Sequence, residues 1–163
     1  MILRITHKLA KKIDALDALN ELPLSENPYL DWSANIFRAQ RVQYIIFTNT
    51  SSLYSMIMFG RGIVDISTFI GDMTSTMRDF LKEDGFEVIY RRIIAPNRSP
   101  ILFAKSLNRS VTGSMNDFIS QAKYHIENGN LSPWDTSFRV NDVPMSFLNY
   151  SHPRKVFKSM APL

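Results

Sequence analysis

Residues 105–118 have the residue types and spacing that fit one chemical task, the recognition of an anion. Lys105 and Arg109 supply two positive charges among small polar side chains. The segment follows a predicted strand and opens a predicted helix, where the first backbone N–H groups lack helical partners and the helix dipole is positive. We therefore predict an anion- or partner-binding site here, with seven candidate residues: Lys105, Asn108, Arg109, Ser110, Gly113, Ser114 and Asn116.

The same residues also fit a structural interpretation, in which they cap the helix. Ser110 or Ser114 would accept hydrogen bonds from the first backbone amides, and Asp117 would complete a capping box with Ser114. The segment lacks the G-x-x-x-x-G-K-[ST] pattern, so it is not a P-loop. The sequence leaves both anion binding and capping open.

A second group of polar residues lies in or beside predicted strands in the first half of the chain. They would line a pocket against the third predicted helix, although asparagines at hairpin ends also satisfy their own turns. An enzyme of unknown class that uses this pocket is one alternative function. A non-enzymatic domain is favoured over it, because no paired titratable groups are recognisable. The candidate pocket residues are Trp32, Asn35, Thr48, Asn49 and Ser55.

The sequence gives no sign of a metal or cofactor site. His7, His125 and His152 are far apart, and none has a second ligand one helical turn away. The chain has no cysteine, which excludes zinc ribbons and thiol nucleophiles. No serine lies in a G-x-S-x-G elbow. We predict no metal and no cofactor.

Positive charge is concentrated in two parts of a chain whose net charge is only +4. Residues 88–111 carry five basic side chains and no acidic one, and the tail after residue 143 adds three more. These strands and this tail suggest nucleic-acid binding as another alternative. The modest charge favours a protein or an anionic small molecule as the partner. The basic residues are Arg91, Arg92, Arg98, Lys105, Arg109, Arg154, Lys155 and Lys158.

The length of 163 residues, 45% of them apolar, is typical of one globular domain with its own core. No apolar run approaches the roughly 18 residues of a membrane span, and no secretory signal is recognisable. We expect a cytoplasmic protein without a membrane partner.

The hydrophobic pattern predicts an α+β fold, with the order β-α-β-β-β-α-β-β-α. The predicted strands cover 2–5, 34–39, 44–48, 53–59, 86–94 and 101–104. The predicted helices run from a Thr6 cap to about residue 19, from an Asp65 cap to Gly85, and from about residue 111 to Gly129. The strands would form one largely antiparallel sheet of five to six strands, covered by helices on one face. Residues 1–130 would form this domain, and 131–163 an irregular C-terminal extension packed on it.

The eleven residues Asn-Arg-Ser-Val-x-Gly-Ser-Met-Asn-Asp-Phe at 108–118 resemble the signature of a family of small uncharacterised bacterial domains. The similarity extends to residues 2–9, to Trp-x-Ala-Asn at 32–35, and to Phe-Thr-Asn and Leu-Tyr-Ser within 47–55. It covers most of residues 1–128 and none of the tail after Asn130. The resemblance implies no activity and no ligand for these residues.

Overall fold

The computed structural model describes residues 1–107 and 109–160, and it has an α+β fold built on one five-stranded sheet in the order β4-β3-β2-β1-β5. The strands β2, β3 and β4 form the predicted antiparallel meander. The sheet is mixed rather than largely antiparallel, because β1 pairs in parallel with both β2 and β5. A parallel pair needs a crossover, which residues 6–30 provide between β1 and β2. The strands are β1 (Ile2–Ile5), β2 (Asp31–Ala39), β3 (Val42–Asn49), β4 (Ser55–Phe59) and β5 (Leu102–Ala104).

Among the described residues, seven α-helical segments, three 3₁₀ turns and one π-helical stretch surround the sheet. The α-helices are α1 (His7–Lys12), α2 (Ile66–Glu83), α3 (Glu87–Ile89), α4 (Ala95–Asn97), α5 (Arg109–Gly129), α6 (Pro133–Asn141) and α7 (Pro153–Ser159). A π-helical stretch, Tyr90–Ile94, joins α3 to α4. The 3₁₀ turns are Leu16–Ala18, Pro28–Leu30 and Ser146–Leu148.

The helix α2 forms as its sequence predicts. Asp65 accepts a hydrogen bond from the Thr68 amide at 2.7 Å, and the two residues form a capping box. The helix buries the apolar residues that recur on one side of it, and Gly85 ends it with a φ of 82° that favours glycine. The buried residues are Phe69, Met73, Met77, Phe80 and Leu81.

Helices cover both faces of the sheet, not one face as predicted. Alternate residues of a strand point to opposite faces, and both sets on β3 are buried. Ile45 and Phe47 belong to a core cluster with α1 and α2, whereas Tyr44 and Ile46 belong to a second cluster with α5. The nearly continuous apolar sequence of β3 is typical of a strand buried on both faces.

Two segments differ from their predicted structure. The strand predicted over 86–94 is helical, because Phe86, Tyr90 and Ile94 recur every four residues and bury one side of the segment. The first helix ends at Lys12 rather than near residue 19, since Asp14 has a left-handed φ of 57°.

The predicted irregular extension over 131–163 contains the helices α6 and α7. Ser132 caps α6 by accepting a hydrogen bond from the Asp135 amide, and a proline follows each N-cap residue. Phe157 of α7 is fully buried, and the carbonyl of this residue accepts a hydrogen bond from the Tyr29 hydroxyl at 2.9 Å. Residues 161–163 of the predicted extension lie outside the described residues.

Candidate functional site

The candidate anion site lies where β5 passes into α5. The strand ends at Ala104, residues 105–107 cross from sheet to helix, and α5 begins at Arg109. Lys105, Arg109 and Ser110 are exposed, whereas the candidate residue Asn108 lies outside the described residues. The junction thus carries two exposed cations before and within the first turn of a 21-residue helix.

Three other candidates lie inside α5, beyond its first turn. Gly113 and Asn116 are exposed, and Ser114 is buried. The Ser114 hydroxyl donates to the backbone carbonyl of Ser110 at 3.0 Å. A capping box of Ser114 with Asp117 is therefore wrong, because both residues follow the first turn of the helix.

A cavity of about 370 Å³ lies beside the junction, between residues 21–23 and 105–107. Lys105 lines it, and the Lys105 Nζ atom is 3.1 Å from Glu21 Oε1. Both side chains of this pair are more than half exposed. Such pairs contribute little to stability, so Lys105 can exchange this carboxylate for another anion at small cost.

Arg4 forms the inner wall of this cavity and holds its backbone in place. Its guanidinium binds Asp31 through two hydrogen bonds of 2.9 Å and is 1% exposed. It also donates to the carbonyls of Leu22, Pro23 and Lys105 at 3.0, 2.7 and 3.5 Å. These five contacts occupy all five guanidinium N–H groups, so Arg4 positions the cavity and leaves no donor for a ligand.

The candidate pocket residues all lie in strands of the sheet, with Asn49 at the end of β3 and Ser55 at the start of β4. Trp32, Thr48, Asn49 and Ser55 are fully buried, and Asn35 is half-buried. Their polar atoms bond to protein neighbours, as in the 2.8 Å contact between the hydroxyls of Thr48 and Ser55. Five cavities on the described part of the chain, residues 1–107 and 109–160, are lined by other residues.

Thr48 and Ser55 belong to a polar row that crosses four strands in register with Arg4 and Ser33. Asn141 of α6 continues this row, because its side-chain amide bonds the backbone N–H and C=O of Ser55 at 2.8 Å each. Asn141 thereby satisfies the backbone hydrogen-bonding groups of Ser55 on the outer edge of β4, which no other strand covers in the described sheet. The row carries hydroxyl, amide and guanidinium groups. The alternative that these residues form the pocket of an enzyme stays a prediction.

A cluster that the sequence did not indicate joins the end of α2 to α7. The buried Tyr54 hydroxyl donates to Asp84, and Arg154 binds both oxygens of the same carboxylate, with its Nη2 atom 2.7 Å from Oδ1. Burial raises the pKa of the Asp84 carboxyl, although Tyr54 and Arg154 oppose this shift. The cluster borders a cavity of about 440 Å³ with His152 and Lys158. Its members are too far apart in sequence for any local motif to reveal it.

The basic residues of the nucleic-acid alternative are divided among separate structures. Arg91 and Arg92 are both exposed on the helical segment 87–97, whereas a strand would have placed them on opposite faces. Arg154 is paired with Asp84 and with Asp142, so its charge is largely neutralised. Lys155 and Lys158 remain exposed.

The described residues contain no group of three or more His, Cys, Asp or Glu side chains that could hold a metal ion. None of the helices in this part of the chain has the length and apolar character needed to cross a membrane.

Comparison with known proteins gives one match. Neither a curated protein nor a solved structure matches the chain. A family model described as a domain of unknown function matches residues 2–156, which extends beyond residues 1–128 into α6 and α7. The chain therefore belongs to the family of the domain of unknown function DUF6933.

Proposed function

We propose that this protein is a non-enzymatic binding domain that recognises an anionic group at the junction of β5 and α5. One observation carries the proposal: Arg109 occupies the first turn of α5, and no acidic residue is present in that turn. A cation at a helix N-terminus opposes the dipole, and an acidic residue there is the stabilising choice.

The other long helix follows the usual pattern, since Asp65 caps α2 and bonds its first-turn backbone. Neither first turn contains an acidic residue, but Asp65 places a carboxylate at the N-cap of α2, whereas α5 has the cation Arg109 in its first turn. A bound anion would neutralise Arg109 and interact favourably with the positive end of the helix dipole. Lys105 stands before the same turn on the wall of the cavity, where it would add a second charge.

The proposed contacts are the side chains of Lys105, Arg109 and Ser110, with Asn108 predicted from the sequence alone. Gly113, Ser114 and Asn116 belong to the following turns of the helix and would shape the surface near the anion. The ligand is an oxyanion, such as a phosphate or a carboxylate, on a small molecule or on a partner.

Thermal unfolding with inorganic phosphate tests this proposal. A ligand that binds only the folded state raises Tm as its concentration rises, and sodium chloride of equal ionic strength corrects for general salt effects. We expect phosphate to raise the Tm of the wild type and of Arg91→Gln, which alters an exposed arginine elsewhere. Arg109→Glu should show a clearly smaller rise in Tm than either.

The same variant separates binding from capping. Because glutamate suits a helix N-terminus, Arg109→Glu should be more stable than the wild type without phosphate, by about 0.3–1 kcal/mol. A less stable variant that responds to phosphate as strongly as the wild type would show that Arg109 has a structural role, and it would refute the proposal.

A further inference from the structure

A second cationic cleft lies at the far end of the β2–β3 hairpin, and we refer to it as the hairpin cleft. It has a volume of about 770 Å³, within the range of ligand sites. Three of its lining residues are cations from separate segments: Lys12 at the end of α1, Arg41 in the hairpin turn, and Arg61 after β4. Val42, Gln43, Phe59 and Gly62 complete the walls, and no carboxylate lines the cleft.

The three cations have no acidic partner among the described residues. Their side chains make no ion pair and no hydrogen bond there, in contrast to Lys105, Arg78 and Arg154. Like charges that converge on one cleft repel one another and raise its positive potential. The hairpin cleft therefore attracts an anion that bridges several positive groups.

An exposed aromatic ring borders the same cleft. Phe59, the last residue of β4, is 55% exposed, and its ring centroid is 5.4 Å from that of Tyr44. On its other side Phe59 borders a smaller cleft with Asp72 and Asp79. An anion would therefore bind on the Arg41 side, and the ring offers a surface for stacking next to it.

The hairpin turn keeps Arg41 at a conformational cost. Gln40 and Arg41 have φ values of 48° and 64°, so both central residues of the turn are left-handed. Such turns favour Asn-Gly, and a left-handed residue other than glycine costs about 1–2 kcal/mol. The geometry of the turn would favour glycine at position 41, so it does not explain the arginine. A positive charge on the wall of the hairpin cleft does explain it.

We propose that the hairpin cleft binds a nucleotide, with its phosphate on Lys12, Arg41 and Arg61 and its base stacked on Phe59. Cationic side chains beside an aromatic ring are the two elements that bind phosphate and base together. A free nucleotide and a single-stranded nucleic acid share this chemistry. This site is separate from the β5–α5 junction and does not depend on the function proposed there.

Binding of a fluorescein-labelled single-stranded DNA 15-mer, measured by anisotropy at low salt, tests the site, with unlabelled AMP and inorganic phosphate as competitors. Phe59→Leu keeps an apolar side chain against Tyr44 but removes the ring, and we expect it to weaken binding about 5- to 150-fold. Arg41→Gly should weaken binding and lower the slope of log K against log salt by about 0.7. The same glycine should raise Tm, because it suits the left-handed turn.

Arg91→Gln, which alters an exposed arginine outside both proposed sites, is the matched control and should bind the 15-mer like the wild type. If AMP displaces the labelled 15-mer as completely as unlabelled 15-mer does at the same nucleotide concentration, the cleft is a mononucleotide site. If only the unlabelled 15-mer displaces it, the cleft is a nucleic-acid surface. The proposal is wrong if neither probe binds saturably, if Phe59→Leu binds normally, or if Arg91→Gln abolishes binding while Arg41→Gly does not.

Discussion

Replacement of Arg4 by methionine is expected to lower the free energy of unfolding by about 3–5 kcal/mol, because it breaks a buried ion pair. Methionine fills part of the arginine volume but donates no hydrogen bond. The Asp31 carboxylate would lose two of the three hydrogen bonds that described residues donate to it and would keep the one from the Ser25 amide at 3.0 Å. Its charge would remain buried without a partner.

Urea unfolding followed by circular dichroism measures this loss. A domain of this size loses about 2–4 °C of Tm per kcal/mol, so the variant should melt about 6–20 °C lower. The double variant Arg4→Met, Asp31→Leu removes both charges, and it should recover most of the stability. Recovery in the double variant would assign the loss to the isolated carboxylate rather than to packing.

Arg78→Met is the matched control. Arg78 makes an ion pair of similar length with Asp79, 2.8 Å, but both side chains are more than half exposed. Its removal should leave the unfolding midpoint nearly unchanged. If Arg4→Met lowers the free energy of unfolding as little as Arg78→Met does, then burial does not make the Arg4–Asp31 pair more stabilising than the exposed pair, and the prediction is wrong.

Three further predictions concern other parts of the fold. Gly71→Ala in α2 should raise stability by about 0.5–1 kcal/mol in urea unfolding, because the new methyl group meets no atom within 4 Å. Asn141→Ala should lower it by about 2–4 kcal/mol, since two backbone groups of the β4 edge lose their partner, and unchanged stability would contradict this pairing. Burial raises the pKa of Tyr54 above its ordinary value of 10, so its contribution to stability is present below pH 10 and is lost as the pH rises further. Unfolding between pH 8 and 11 should therefore show a shallower alkaline decline for Tyr54→Phe than for the wild type, and equal declines would contradict this role of Tyr54.

Local sequence signals predict the elements that are set by short-range patterns. The meander follows from period-two strands with short connections, and α2 follows from the Asp65 cap and the four-residue spacing of its apolar side. These features depend on neighbours in sequence, so the α+β class could be predicted.

The features that were missed depend on distant partners. Residues 86–94 are rich in β-branched and aromatic residues, which favours a strand, but their four-residue spacing buries one helical side against the core. Helix α6 is held by its pairing with the β4 edge, about 80 residues away, which no local pattern reveals.

The candidate sites divide in the same way. A strand followed by a helix start near residue 109 could be predicted from the hydrophobic pattern. The Arg4 pair with Asp31, the Tyr54 and Asp84 cluster, and the hairpin cleft each bring together residues from separate segments. Such contacts arise from tertiary packing, and one sequence without its fold does not specify them.

An NMR titration of the ¹⁵N-labelled chain with inorganic phosphate tests anion binding at the β5–α5 junction most directly. We expect saturable shifts of the backbone amides of residues 105–112 and of Glu21 and Leu22, and loss of these shifts in Arg109→Glu. Shifts that do not saturate, that occur equally at every basic surface, or that persist in Arg109→Glu would contradict it.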